Sequence, residues 1–110
     1  MAKSKVVEAV KYFEERLRMN KLSISKIILF GSQARGTSSA ESDVDIVLIS
    51  RDFANKNIYR RLELIKEAEI ATIKKFIIPL DIVMMTPDEF KSGKSLVAEF
   101  AKKGTVLFAA

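Results

Sequence analysis

Residues 27–49 read IILFGSQARGTSSAESDVDIVLI, two apolar runs around a polar span. The first run, 24–30, is rich in β-branched Ile and is stopped by Gly31, as a strand is. The span 33–42 carries Gly36 and several hydroxyl residues, so it reads as a loop, with room for a short helical turn after Ser32. The second run, Val44–Ile49, is apolar almost throughout, so a strand covered on both faces is expected. Strand periodicity puts Asp43 and Asp45, at i and i+2, side by side on one face. Two carboxylates pointing the same way repel each other unless a cation lies between them. A hard divalent ion such as Mg²⁺, which takes oxygen ligands, is the natural counter-charge.

A third acid stands alone in the next apolar run: residues 77–85 are IIPLDIVMM, with Asp81 at the centre. A buried, unpaired carboxylate is costly, so Asp81 calls for a partner or a metal. The acids lie at the starts of their strands, whereas Gly31 and Ser32 lie at the end of theirs. One site gathers all of them only if the second strand runs antiparallel to the first and the third runs parallel to the second. The helix expected at Ile58–Phe76 supplies the crossover that a parallel neighbour requires. At the opposite wall, Gly31 lets a backbone approach a phosphate with no Cβ in the way. Ser32 offers a hydroxyl and an N–H, and Arg35 adds a fork of donors.

Elsewhere, Val6, Val10, Phe13 and Leu17 recur at helical spacing and predict a packing helix over residues 4–20. In the crossover helix, Ile58, Leu62, Ile65, Thr72, Ile73 and Phe76 fall on one stripe. Glu69 lies within that stripe and is expected at its rim or paired, with no functional account. Residues 52–57 read as a polar connection. Lys56, Arg60 and Arg61 read as a solvated face or as contacts for phosphate or an acidic partner. Thr86-Pro87-Asp88-Glu89 has the form of a helix start. Phe90, Val97 and Ala101 can then face inward from a helix broken near Gly93, and a last short strand is expected at 106–108. The expected fold is α/β (α+β), a small mixed sheet flanked by helices, in the order α-β-β-α-β-α plus that strand, as a single domain over 1–110.

Composition narrows the chemistry. The 110 residues include no His and no Cys. That removes the usual Cys/His zinc sites, the Ser-His-Asp triad, thiol nucleophiles and imidazole acids or bases. The charge of +5 is uneven: residues 1–40 carry +5, residues 41–55 carry −3 and residues 56–75 carry +3. A basic surround is thus broken by an acidic notch at Asp43 and Asp45. Residues 1–5 are polar and no apolar run is long enough for a bilayer, so a soluble cytoplasmic protein without a signal peptide or membrane contact is expected.

Gly31-Ser32-Gln33-Ala34-Arg35-Gly36, ten residues between Ser32 and Asp43, and then Asp43-Val44-Asp45, resembles the signature of the minimal nucleotidyltransferases of the DNA polymerase β superfamily. Leu80-Asp81-Ile82-Val83 is similar to that family's third-carboxylate strand. The resemblance covers nearly the whole chain. It implies a mixed-sheet nucleotidyltransferase fold and transfer of a nucleoside monophosphate from an NTP, often ATP, to a hydroxyl. It also implies that Asp43 and Asp45 bridge two Mg²⁺ ions, that Asp81 holds the metal activating the acceptor, and that Gly31 and Ser32 hold the β,γ-phosphates. Members this small are often the antitoxin half of a pair with a helical HEPN-family protein, some of which are inactivated by adenylylation of a tyrosine. The competing reading is an antitoxin or nucleotide-binding module that neutralises its partner by binding alone. A nucleic-acid binder is suggested only by the pI, without a recognition motif. Homo-oligomerisation is open.

Overall fold

The computed structural model describes residues 4–31, 43–93 and 96–110. Helix α1 spans Ser4–Met19, and its predicted stripe of Val6, Val10, Phe13 and Leu17 is buried. Strand β1 (Lys26–Phe30) is followed by β2 (Val44–Ile49) and a 3₁₀ turn at Arg51–Phe53. Then come α2 (Ile58–Phe76), β3 (Leu80–Met85), the short helices α3 (Pro87–Ser92) and α4 (Leu96–Lys102), and β4 (Thr105–Ala109). β1 opens two residues later than its apolar run suggested, although Ile24 is still buried in the core.

The sheet order is β3-β2-β1-β4. β1 and β2 are antiparallel while β2 and β3 are parallel, with α2 as the crossover, as the placement of the acids required. β4 closes the other edge against β1, antiparallel, with its register shifting between Ile27 and Ile28. Gly104 makes that return feasible, because a Cβ there would lie 2.4 Å from the Leu29 carbonyl oxygen.

The two faces of the sheet carry different loads. Ile27, Leu29, Val44, Ile46 and Leu48 pack with α1, α2 and Phe53 into the larger core. Ile28, Val47, Ile49 and Met85 form a smaller cluster with Ala98 and Ala101 of α4, with Phe30, Val83 and Phe90 at its margin. Alternation along β2 and β3 places Asp45 and Asp81 on this second face. Both faces of β2 are covered, as its unbroken apolar sequence predicted.

Two sequence expectations need correction. Residues 52–57 are not simply a polar connection, because Phe53 is fully buried. Ser50 Oγ accepts from the Asp52 amide at 3.1 Å and Asp52 accepts from the Ser23 amide at 2.8 Å, turning the ring inward. The stripe assigned to α2 is also rotated: Ile65, Ala68 and Thr72 are buried, while Ile58 and Leu62 are exposed. The physical reason is Arg61, which packs its guanidinium over the Phe53 ring at 5.8 Å. Arg61 donates to the carbonyls of Lys56 (2.9 Å) and Met84 (3.1 Å) and to both carboxylate oxygens of Glu89 (2.8 and 3.1 Å). So satisfied, it occupies the inward face and turns Ile58 and Leu62 outward. Arg61 is therefore a staple between α2, β3 and α3, not part of a solvated face. Lys56 bonds the Asp52 carbonyl at 2.8 Å, and Arg60 stays exposed.

Thr86 caps α3 as predicted. Its hydroxyl accepts from the Glu89 amide while the Glu89 carboxylate accepts from the Thr86 amide, a reciprocal capping box with Pro87 in the first turn. Gly93 closes that helix in the left-handed region, which is the expected break. The side chain of Val97 lies outside the described ones. No helix among the described residues is long and apolar enough to cross a membrane.

Candidate functional site

β2 places Asp45 directly across from Phe30 on β1 and from Asp81 on β3. Both partners follow from the ladder, so Asp45 sits between the last residue of one neighbour and the acid of the other. The ladder is pinned where β3 begins, by a bond of 3.0 Å from the Val44 amide to the Pro79 carbonyl. Pro79 has no N–H to offer and stands just before the strand, a position where proline costs the sheet nothing.

Gly31 ends β1 with φ +74°, in the region where glycine is favoured. A Cβ built there would lie 2.5 Å from Oδ2 of Asp45. The sequence suggested that Gly31 clears space for a phosphate; the group it clears space for in the structure is the Asp45 carboxylate. Gly31 and Asp45 are thus adjacent walls of one site, as the antiparallel arrangement predicted.

Electrostatics single out Asp45 in the same way. It is half-buried, whereas Asp43 and Asp81 are exposed. Burial pushes the Asp45 carboxyl above the usual carboxylate range. The neighbouring Asp81 carboxyl adds to this, and the charge of Asp43 adds least. The sequence treated Asp43 and Asp45 as equivalent members of a pair. The structure separates them: Asp45 lies in the ladder against Asp81, and Asp43 stands one position before the strand. The signal for this was register, since Pro79 fixes where β3 starts, and with it the pairing of Asp81.

A divalent cation fits this donor set. Two carboxyl groups on directly paired residues of neighbouring strands disfavour full ionisation, and a hard cation relieves that while taking oxygen ligands. Among the described residues no group of three or more His, Cys, Asp or Glu converges into a metal cage. The Asp45–Asp81 contact is the nucleus, and substrate oxygens would be needed to complete a coordination shell. Ser32 and Arg35, expected at the phosphate wall, lie outside the described residues.

A mixed sheet whose parallel pair opens on neighbouring carboxylates, with a glycine turn against them, has the architecture of nucleotidyltransferases. Residues 9–107 match the family described as nucleotidyltransferase domain, and the chain belongs to it. Among solved structures, a candidate nucleotidyltransferase from Sulfolobus solfataricus superimposes with a TM-score of 0.60 at 21% identity, over 86% of this chain and 84% of that one. A toxin–antitoxin structure with AMP-PNP gives 0.64 at 22% identity, over 91% of this chain and 73% of that one. A mutant of the toxin–antitoxin MntA-HpeT, with two aspartates changed to glutamate, gives 0.59 at 19%, over 88% and 70%. At these identities the likeness speaks for the fold. Comparison with curated proteins gave no match.

Proposed function

We propose that the chain transfers a nucleoside monophosphate, AMP from ATP, to a hydroxyl on a partner protein, and that it acts as the antitoxin toward a HEPN-type toxin. The observation that carries this reading is the Asp45–Asp81 contact across the parallel ladder, with Gly31 packed against Asp45. The toxin–antitoxin neighbours, one of them with AMP-PNP, support the choice of partner and nucleotide.

In this reading Asp43, Asp45 and Asp81 hold magnesium, with two ions expected, and Gly31, Ser32 and Arg35 hold the triphosphate. When bound, magnesium supplies charge neutralisation and Lewis-acid polarisation at the transferred phosphoryl group. The acceptor oxygen bonds to the α-phosphorus as the bond to the β-phosphate oxygen breaks, and pyrophosphate leaves with the electron pair. Asp81, exposed on an edge strand, is the carboxylate that an incoming hydroxyl from another chain reaches first, and it orients the proton of that hydroxyl. With no His or Cys in the chain, only carboxylates offer a side-chain acceptor of suitable basicity. Asp45 lies deeper, held by β1 and β3, and keeps the phosphate end of the site in a fixed relation to Asp81.

The test is label transfer. Purified protein with Mg²⁺ and α-labelled ATP should label the protein encoded beside it, and Asp43→Asn or Asp45→Asn should abolish the label. Equal labelling by both variants would sink the mechanism. Inhibition of the partner by wild type and variants alike, with no label, would assign a binding-only antitoxin.

A further inference from the structure

Of the nine exposed large hydrophobic side chains among the described residues, six lie between Ile58 and Ile77. Ile58, Tyr59, Leu62, Ile70 and Ile77 are 41–77% exposed. With half-buried Ile73 they fall on an arc of about 120°, turned away from the seam that faces the core. Two shallow grooves lie along it. One, of about 370 Å³, is lined by Tyr59, Leu62, Glu63, Lys66, Glu69 and Ile70. The other, of about 470 Å³, is lined by Ile73, Lys74, Ile77, Ile78, Pro79 and Leu80.

The order of residues on this face is self-complementary. Read outward from a point between Glu67 and Ala68, Lys66 matches Glu69, Leu62 matches Ile73, Tyr59 matches Phe76 and Ile58 matches Ile77. A two-fold axis through that point sets α2 antiparallel to a second α2, with each residue of these pairs opposite its match. The exposed matches Leu62–Ile73 and Ile58–Ile77 are then apolar on both sides, Phe76 reaches Tyr59 only from the margin where it packs on Tyr12, Ile70 lies at the rim opposite buried Ile65, and the two central contacts are Lys66–Glu69 pairs of opposite charge. An isologous interface requires this pattern.

Two features left unexplained within one chain fit the same arrangement. Glu69 is half-buried among these apolar residues and has no hydrogen-bond or ion-pair partner among the described residues; burial alone pushes its carboxyl above the usual range. Ile77 caps α2 at φ 53°, ψ 45°, a conformation that is an outlier for a β-branched residue, yet its side chain is 77% exposed. Among the described residues, no burial of the side chain compensates that strain.

We propose that this face of α2 is a homodimer interface, in which two copies pair antiparallel with reciprocal Lys66–Glu69 contacts and Ile77 of each copy seated against Ile58 of the other. The partner is a second copy of this chain, chosen by the two-fold pattern of charge and apolar matches. The interface is independent of the chemistry at Asp45.

Sedimentation of the full-length protein should show a dimer at about 100 μM, in the range where micromolar association is populated. Leu62→Asp or Ile58→Glu, both at surface positions, should leave the circular dichroism unchanged and give monomers. Glu69→Lys alone should weaken association by about tenfold or more, because each two-fold contact becomes a like-charge pair, and adding Lys66→Glu should restore it. Ile77→Gly should raise the melting temperature of the monomer and still weaken the dimer. A purely structural role predicts the first effect without the second. A wild-type chain that remains monomeric, or a dimer indifferent to Leu62→Asp and to the charge swap, overturns the proposal. Protection of α2 only when the protein encoded beside it is added also overturns it, and gives the face to that protein.

Discussion

β2 and β3 run in parallel from a charged end to an apolar one, and the two ends are built on opposite terms. At the start of the pair, Asp45 and Asp81 face each other with carboxyls in conflict, and Gly31 leaves the space that Asp45 fills. At the far end, Ile49 and Met85 are buried, the Ser50 amide donates to the Met85 carbonyl at 2.9 Å, and Arg61 ties the Met84 carbonyl to Glu89. One end concentrates unfavourable charge and the other holds it in place. Functional constellations are commonly destabilising for the fold that carries them, and here the compensation lies one strand-length away.

The sharpest test of that contrast is a change with opposite effects on activity and stability. Asp45→Asn should reduce nucleotidyl transfer by about a thousandfold or more, the scale of losing a group that acts on the transition state. In metal-free buffer the same change should raise the thermal midpoint by a few degrees, since it removes a half-buried charge beside Asp81. A lower midpoint would mean that Asp45 stabilises the sheet, and the contrast would be lost.

The far end should fail differently. Arg61→Ala removes a donor from the part-buried Met84 carbonyl, the packing over Phe53 and the pair with exposed Glu89, and should cost about 1–2 kcal/mol in urea unfolding. Arg61→Lys should recover less than half of that, because an ammonium cannot reproduce the fork. Gly31→Ala tests the near end by sterics, with a Cβ against Asp45 and an unfavourable φ. It should cost about 1–2 kcal/mol and lower activity together with stability.

The smallest expected effect is one of pH. The Arg61 guanidinium, first through its hydrogen bonds, holds the Glu89 carboxyl below its usual range. A depressed folded-state pKa contributes stability that is present above the unfolded value, about 4.3, and is lost as pH falls through the folded one. The stability difference between wild type and Glu89→Gln should therefore shrink as acid is added below that value. Exposure of Glu89 limits it to a few tenths of a kcal/mol. The Asp45 shift has the opposite sign: its conflict is present at neutral pH and relieved as acid protonates Asp45.

What the sequence made legible was what periodicity and topology govern. The directions of β2 and β3 followed from where Gly31, Asp45 and Asp81 stand in their strands, and the Thr86 cap followed from four consecutive residues. Phe53 was missed because one aromatic in a polar stretch has no period, and its burial depends on the Ser23 amide donating to Asp52 and the Asp52 amide donating to Ser50 Oγ. The face of α2 was misread because two apolar arcs share the helix, and the inward one contains Arg61, which no hydrophobic count places inside. Glu69 fell inside the stripe because periodicity alone does not separate the two arcs; in the fold it is half-buried between the core-facing seam and the exposed apolar face, with no partner among the described residues.

The pairing of Asp45 with Asp81 is written into a main-chain ladder, and a ladder has no half-steps. A slip of one residue would set Leu80 or Ile82 beside Asp45 and turn the apolar set of β3 to the wrong face. If Asp45 and Asp81 work as proposed, a misregistered chain would be both unstable and inert, and the fold would screen out imperfect sites before any substrate arrives. Variants that weaken the sheet should lose activity in proportion to the fraction unfolded, while the molecules that remain folded work at full rate.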